Sequence, residues 1–430
     1  MANRVIVAGG GASGLAAAVS AAESGAKVTI LEHRDRVGKK ILMTGNGRCN
    51  LTNMSDVRGK YYSTDSESLD RIYAAIGRFD AAKTRDFFRS LGLCTKEKRD
   101  GGVYPASEQA SIVLDVLRSA CDRLDISVWT DCELAAVRPD QTGGTVSIVQ
   151  TVCAGGARSG KAGMAKERTN KTLRYDKLIL AMGGKAASVA GSDGSGYQLA
   201  RKLGHRLIEP LPALVQLRCE GDFFKALSGV RAQGRIVLLI DGVETAGDEG
   251  ELQLTDYGIS GIPVFQISRI ASRALYEGRQ CEAVMNFLSY ADGTGSRYTA
   301  ESIRAFSHKT VEAFLAGMVH KKLAAVVCRQ CGLASDQTVG QAGVRRVMDC
   351  IDILTQFRVR ITAPNAFEHA QVCCGGVPLR EVDENFASLK CRDLYIIGEL
   401  LDCDGICGGY NLQWAWTTGA IAGAAAALSR

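Results

Sequence analysis

Gly9, Gly11 and Gly14, spaced Gly-x-Gly-x-x-Gly, and a carboxylate at Glu32, 18 residues past Gly14, form the pattern with the plainest chemistry in this sequence. Gly9 permits a tight turn, Gly11 lets the backbone approach a pyrophosphate, and Gly14 lets a helix pack closely on a strand. A helix opening at Ala12 and Ser13 aims its unpaired N–H groups at phosphate oxygens, and the Ser13 hydroxyl adds a donor. Glu32, with His33 beside it, ends the next apolar strand, where a carboxylate accepts both hydroxyls of an adenosine ribose. That charge repels a 2′-phosphate, so the nucleotide bound here is not NADP.

A second polar run follows, in which Arg34, Arg36, Gly38, Lys39 and Lys40 lead into Thr44-Gly45-Asn46-Gly47-Arg48-Cys49-Asn50. A plain NAD domain has no use for a basic, amide-rich loop, and its presence selects FAD. Lys40, Asn46, Gly47, Arg48, Cys49 and Asn50 are assigned to that cofactor, with Asn46, Arg48 and Asn50 as donors to the pyrophosphate or the flavin ring. The competing reading is a hydrogen-bonded surface loop. Cys49 stands alone, so the dithiol of a flavin disulfide reductase is absent, and it reads as a small packing residue. Further along, Gly183, Gly184, Gly376, Gly398, Glu399 and Gly409 mark places where the chain passes close to the cofactor. A helix beginning near Asn411 and Leu412 points its N–H groups at the pyrimidine edge of a flavin, stabilising the anion formed on reduction. The backbone around Glu133 and Leu134 is placed against the adenine.

The elements that must hold these residues follow from hydrophobic periodicity. Strands are predicted over 5–8 and 27–31, helices over 68–92 and 107–124, and a strand over 126–137. Two further strands, 144–152 and 172–180, flank a polar insert, 154–171, with five basic residues against one acid. Such a tip is usually a hairpin end; contact with nucleic-acid phosphates is the sharper alternative. The second glycine cluster, Gly191 to Gly196, does not sit between a strand and a helix in fingerprint order. No second dinucleotide domain is expected, and NAD(P)H enters only as a transient reductant. Composition then changes, which predicts a first cofactor segment over 1–204, an inserted domain over 205–363 and a second cofactor segment over 364–430. The insert is β-rich, with a helical subdomain over about 295–355. The fold class is α/β, with a discontinuous Rossmann-like FAD domain.

The 430 residues, 46% hydrophobic and 23% charged, describe a soluble globular protein of two or three domains. A net charge of +6 suits an anionic substrate or RNA without requiring either. Fifteen cysteines without a secretory leader indicate a reducing, cytoplasmic setting. No apolar stretch approaches the roughly 18 residues that span a bilayer. Cys328-Arg-Gln-Cys331 has metal or redox spacing but no accompanying pair, and reads as part of a structural helix; no metal site is expected. His205, His308, His320 and His369 are scattered and give no triad, so hydrolysis has no support. No stable protein partner is evident.

The segments VIVAGGGASGLAAA, GKKILMTGNGRCNLTN, LTDYGISG, CCGGV and GGYNLQWAW together resemble the BaiN-like flavoprotein family, which includes aminoacetone-oxidase-type FAD-binding enzymes. The resemblance extends over essentially the whole chain. It implies an FAD domain of glutathione-reductase type, interrupted by a β-rich domain carrying a helical subdomain. Many relatives place Phe and His before the GISG stretch, where this chain has Leu254-Thr255-Asp256-Tyr257. Asp256 and Tyr257 are the catalytic candidates, as proton donors or as groups that polarise a carbonyl. The chemistry that fits is reduction of an alkene conjugated to a carbonyl in a small molecule, and the resemblance points to 3-oxo bile-acid intermediates. It also admits dihydrouridine formation in ribosomal RNA, and amine oxidation with oxygen.

Overall fold

The computed structural model describes residues 2–65, 67–153, 166–289 and 299–429. Most of the basic insert tip, 154–165, and the start of the expected helical subdomain, 295–298, lie outside the described residues. The chain divides into two compact units, Met1–Pro210 with Val372–Arg430, and Leu211–Gln371. These bounds fall a few residues after the expected 204 and 363, because the strand Ile208–Ala213 runs across the first one and Val372–Gly376 begins at the second.

The first unit is built on a five-stranded parallel sheet in the order Leu394–Ile396, Lys177–Leu180, Arg4–Ala8, Lys27–Leu31 and Ser127–Trp129. Its central strand reads RVIVA because a parallel sheet covered on both faces needs continuous apolar residues. Register places Ile6 opposite Leu178 on one side and Thr29 on the other. The helix Ala12–Glu23 follows the glycine turn and packs against the closing helix Tyr410–Leu428. Small residues make this possible, since a Cβ at Gly419 would lie 2.5 Å from the Ser13 carbonyl oxygen and one at Gly423 would overlap that of Ala17.

Three predicted elements are split, the first of them the strand over 172–180, which is the end of Lys166–Tyr175 followed by Lys177–Leu180 in a different sheet. The helical stretch over 68–92 is Ser68–Arg78 and Ala81–Ser90, because Asp80 caps the second by accepting from the Lys83 N–H at 2.9 Å. The strand over 126–137 is Ser127–Trp129 and Cys132–Asp140. The chain turns at Asp131, whose φ is 50°, and Asp131 and Cys132 donate to the Arg34 and Glu32 carbonyls at 2.9 Å each. That turn lays the segment before Leu134 alongside Glu32.

The second unit is a closed six-stranded barrel in the order Leu217–Cys219, Gly258–Ser260, Val243–Leu254, Val230–Ile240, Cys281–Asn286 and Phe357–Pro364. Closure is made by antiparallel pairing of Arg218 with Ala363, which removes the free sheet edges. Ile236, Leu238, Leu252, Met285 and Ile361 fill the interior. Four helices, Ala300–Arg304, Val311–Leu315, Lys321–Gln330 and Val339–Thr355, form the helical part. The last opens on a capping box between Thr338 and Gln341.

Candidate functional site: a dinucleotide cradle and a barrel loop

The cradle starts at the glycine turn. A Cβ on Gly14 would overlap the Gly9 carbonyl oxygen, and one on Gly9 would collide with the Ala181 carbonyl, so both glycines are consumed by packing. Gly11 is different, because a Cβ there meets nothing within 4 Å. It caps the helix Ala12–Glu23 without any side-chain hydrogen bond. The helix N-terminus thus opens onto free space, the arrangement that a pyrophosphate requires.

Glu32 is buried and does more than its spacing indicated. Its Oε2 accepts from the Gly10 N–H at 2.9 Å and its Oε1 from the Arg34 N–H at 2.8 Å, while His33 Nδ1 lies 3.2 Å from Oε1. A carboxylate offers about four lone-pair directions, so this bracing of the glycine turn leaves room for ribose hydroxyls. The hydrogen bond to Glu32 holds the His33 pKa above its ordinary value, against the effect of burial.

Lys40 and Glu399 form a half-buried ion pair at 2.7 Å, which brings together residues from the two sequence segments of the cofactor unit. The other Glu399 oxygen accepts from the Cys373 N–H at 2.9 Å, and Tyr197 donates to the Glu399 carbonyl at 3.1 Å. Tyr197 was not singled out from the sequence, whereas Cys373 carried a signal through the CCGGV segment. Burial, then the Glu399 charge, pushes the Cys373 thiol up to about 12. Cys49 is likewise pushed up to about 11 by burial, so neither thiol is an anion at neutral pH. A Cβ on Gly184 would lie 2.7 Å from Glu399 Oε1, one on Gly183 would lie 3.2 Å from Ser192 Oγ, and one on Gly376 would lie 2.7 Å from the Leu400 carbonyl oxygen. Gly398 has φ 68°, donates to Thr418 Oγ1 at 3.0 Å, and accepts from Trp414 Nε1 at 3.1 Å. The sheet side of this cradle is therefore tightly determined.

The closing helix begins at Tyr410, capped by Gly409 with φ 98° and no side-chain hydrogen bond. Its first N–H groups, including those of Asn411 and Leu412, form the expected positive end. The Asn411 side chain is engaged elsewhere, accepting from the Gly405 N–H at 2.8 Å and donating to its carbonyl at 2.7 Å. In the loop before it, Asn46, Gly47 and Arg48 are exposed and Cys49 is buried. Arg48 reaches Glu108 at 3.8 Å. Asn50 sits against the helix start, where a Cβ on Gly409 would lie 2.8 Å from its Oδ1. Leu134 is buried on the strand that follows Asp131, opposite Ile148.

Among the described residues five buried polar atoms of this unit lack a hydrogen-bond partner in the protein: His33 Nε2 and Arg34 Nε beside Glu32, Asn50 Oδ1 beside Gly409, and, elsewhere in the unit, Arg85 Nε and Tyr175 Oη. Orphaned buried groups are rare in native folds and mark places where a ligand completes the bonding. The first three fall beside Glu32 and at the start of the helix Tyr410–Leu428, so the residues present there fit FAD. Gly11, Ser13, Glu32 and Asn50 would hold it.

Asp256 and Tyr257 belong to the barrel unit. Asp256 is exposed. The Tyr257 hydroxyl accepts from Asn365 Nδ2 at 3.2 Å, and the Arg218 guanidinium lies 5.0 Å from the ring centroid. Both residues line a cavity of about 310 Å³ that also contains Ser228, Arg231, Gln253 and Thr255. Cys328 lies on the helix Lys321–Gln330 and Cys331 caps it. Among the described residues no group of three or more His, Cys, Asp or Glu side chains is placed to hold a metal ion, and no helix is long and apolar enough to cross a membrane.

A family model described as the HI0933-like protein Rossmann domain matches residues 3–425. The 3-dehydro-bile acid delta(4,6)-reductase of Clostridium scindens is 40% identical over 429 residues, covering 99% of each chain. The ribosomal RNA dihydrouridine synthase of Escherichia coli is 26% identical over 414 residues, 96% of this chain and 95% of that one. Among solved structures, a 3-ketosteroid-delta4-(5alpha)-dehydrogenase from Rhodococcus jostii RHA1 aligns with a TM-score of 0.49 at 15% identity, covering 99% of this chain and 97% of that one.

Proposed function

We propose a reaction from one premise: the chain belongs to the HI0933-like Rossmann-domain family, and it is an FAD-binding oxidoreductase. The reaction is saturation of a carbon–carbon double bond conjugated to a carbonyl, with a 3-oxo bile-acid or similar steroid enone as substrate and NAD(P)H as the transient reductant. The observation that carries this reading is the 40% identity, over 99% of both chains, to a 3-dehydro-bile acid reductase. When bound, FAD supplies a hydride to the electron-poor β-carbon. The protein's own part is to hold and polarise. Gly11 and the helix behind it face the pyrophosphate, Glu32 takes the ribose, and the N–H groups after Gly409 favour negative charge at the pyrimidine edge. Tyr257 polarises the carbonyl or supplies the proton that completes the α-carbon, with Asp256 as the neighbouring candidate. Replacing Tyr257 with Phe is expected to slow substrate reduction by roughly 100-fold, in the range of a lost general acid, with FAD content unchanged. Unchanged turnover would remove Tyr257 from the mechanism.

A second reading, dihydrouridine formation in ribosomal RNA, is supported by the 26% identity to a ribosomal RNA dihydrouridine synthase. The barrel surface weighs against it. Four of its exposed arginines are matched by acids, Arg231 with Glu251 at 3.4 Å, Arg235 with Glu244 at 3.9 Å, Arg358 with Glu282 at 3.8 Å and Arg360 with Glu220 at 4.0 Å. Phosphate binding needs unmatched cations. The deciding experiment is an anaerobic assay with NADH or NADPH, run against a steroid enone and against unmodified ribosomal RNA, following flavin bleaching and product mass. Turnover of RNA alone would overturn the steroid reading.

A further inference from the structure

We infer that the barrel unit carries a donor site for a carbonyl or enolate oxygen, in which Tyr257 gives the hydrogen bond and Asn365 sets its direction. The inference rests on the enone reading for its substrate and on the local geometry for everything else. Asn365 is buried, at 7% exposure, and its backbone N–H is fixed to the Gln216 carbonyl at 2.8 Å. Its Oδ1 accepts from the Ala366 N–H at 3.0 Å. A backbone N–H can only donate, so this contact decides which end of the amide is oxygen and which is nitrogen. Nδ2 is thereby turned to the Tyr257 hydroxyl at 3.2 Å. An amide nitrogen also can only donate, so the Tyr257 oxygen is an acceptor there and its hydrogen is directed elsewhere. No protein acceptor takes that hydrogen among the described residues.

The ring is held from other directions as well. The Tyr257 carbonyl accepts from the Cys219 N–H at 2.9 Å, its N–H reaches Thr255 Oγ1 at 3.4 Å, and Thr255 Oγ1 donates to the Gly258 carbonyl at 3.1 Å. The Arg218 guanidinium over the ring adds positive charge close to an oxygen that gains electron density. A hydroxyl that accepts one hydrogen bond is a stronger donor in the next. The site therefore donates to a ligand oxygen, and most strongly to one that gains negative charge, such as the enolate oxygen formed when a hydride adds to an enone. Asn365 is a positioning residue, and Tyr257 is the group that touches the ligand.

Calorimetry on the FAD-loaded full chain, with a saturated 3-oxo steroid and its 3-hydroxy counterpart as probes, tests this. Asn365→Ala is expected to weaken the ketone by about 10-fold, the scale of one net hydrogen bond, and the alcohol by less, since a hydroxyl can turn to other partners. Asn365→Asp keeps the shape but places an acceptor against Tyr257, which would capture its hydrogen, so it is expected to weaken the ketone more than Asn365→Ala does. A purely structural role predicts the opposite order. Tyr257→Phe is expected to match the alanine loss, and adding Asn365→Ala to it should change nothing further. Additive losses, an aspartate variant that binds like the parent, or a parent protein that binds neither steroid would each overturn the site. If the aspartate variant loses its FAD, the Tyr257–Asn365 double-mutant cycle still decides. Ketone binding with this pattern but no enone turnover would sink the proposed reaction and leave the site standing. Turnover with no such pattern would do the reverse.

Discussion

Two neighbouring glycines of the nucleotide turn are expected to fail in opposite ways when each is changed to alanine. Gly11 has φ −80°, a conformation alanine adopts freely, and its added methyl meets no protein atom within 4 Å. The apoprotein of Gly11→Ala should therefore unfold within about 0.5 kcal/mol of the parent. The methyl instead occupies the face that a pyrophosphate approaches. Losing one hydrogen bond from a backbone N–H to a charged phosphate is worth about 1.5–3 kcal/mol, which weakens FAD binding roughly 10- to 150-fold. Gly14→Ala meets the Gly9 carbonyl oxygen within overlap distance, and the Gly9 carbonyl carbon at 3.1 Å and Ala181 Cβ at 3.2 Å block any retreat. Overpacking of this kind costs about 1–3 kcal/mol in the apoprotein itself. The assay is urea denaturation of flavin-stripped protein, paired with titration of FAD by its fluorescence. If Gly11→Ala binds FAD like the parent, or if flavin-stripped Gly14→Ala melts like the parent, the assignment of the turn is wrong.

Other expectations follow from the same unit. His205 is fully buried, with Nδ1 2.9 Å from Glu381 and Nε2 2.8 Å from Ser388 Oγ, and burial holds its pKa below the ordinary value despite Glu381. The unfolded chain takes up this proton near pH 6.5 and the fold does not until lower pH, so the unfolded state binds more protons in between. Stability from this group is constant above about pH 6.5 and declines as pH falls below it. Urea midpoints at pH 8 and pH 5.5 should differ less in His205→Gln than in the parent, and an equal difference would exclude His205. Lys40→Met strands the Glu399 carboxylate in a half-buried site. A loss of about 1–2 kcal/mol, discounted for partial exposure, together with faster FAD release, is expected by thermal melt and by flavin dissociation; no change in either would show that the pair is ornamental.

The cofactor unit was legible in the sequence because its chemistry is local. The turn Gly9 to Gly14, the strand to Glu32 and the helix after Gly409 each place several functional groups within one short segment, so spacing alone defines them. What escaped detection depends on residues far apart in the chain. The Lys40–Glu399 pair joins positions 359 residues apart, and the Cys373 N–H completes that carboxylate from a third segment. The second unit was legible only as β-rich with helices. Its closure depends on pairing Leu217–Cys219 with Phe357–Pro364, a contact that no periodicity encodes. Two of the split elements fail for a different reason: Asp80 and Asp131 act through a cap and a positive φ, and a single acid in a polar stretch carries no period.

The dual engagement of Glu32 bears on what the fingerprint selects. An acid at this position is usually read as a ribose ligand alone, yet here it also binds the Gly10 and Arg34 N–H groups. Replacing it with Gln would keep one acceptor and set an NH₂ group against one of those N–H donors, so the glycine turn loses its brace in the empty protein as well. In the proposed cradle Glu32 would therefore couple the shape of the glycine turn to the occupancy of the ribose site. A ligand that carries a diphosphate but no adenosine ribose should leave Glu32 to its two backbone partners, and one with an adenosine ribose but no diphosphate should still stiffen residues 9–11. Amide hydrogen exchange at Gly10 with added AMP would report that stiffening, because its N–H donates directly to the carboxylate proposed to take the ribose.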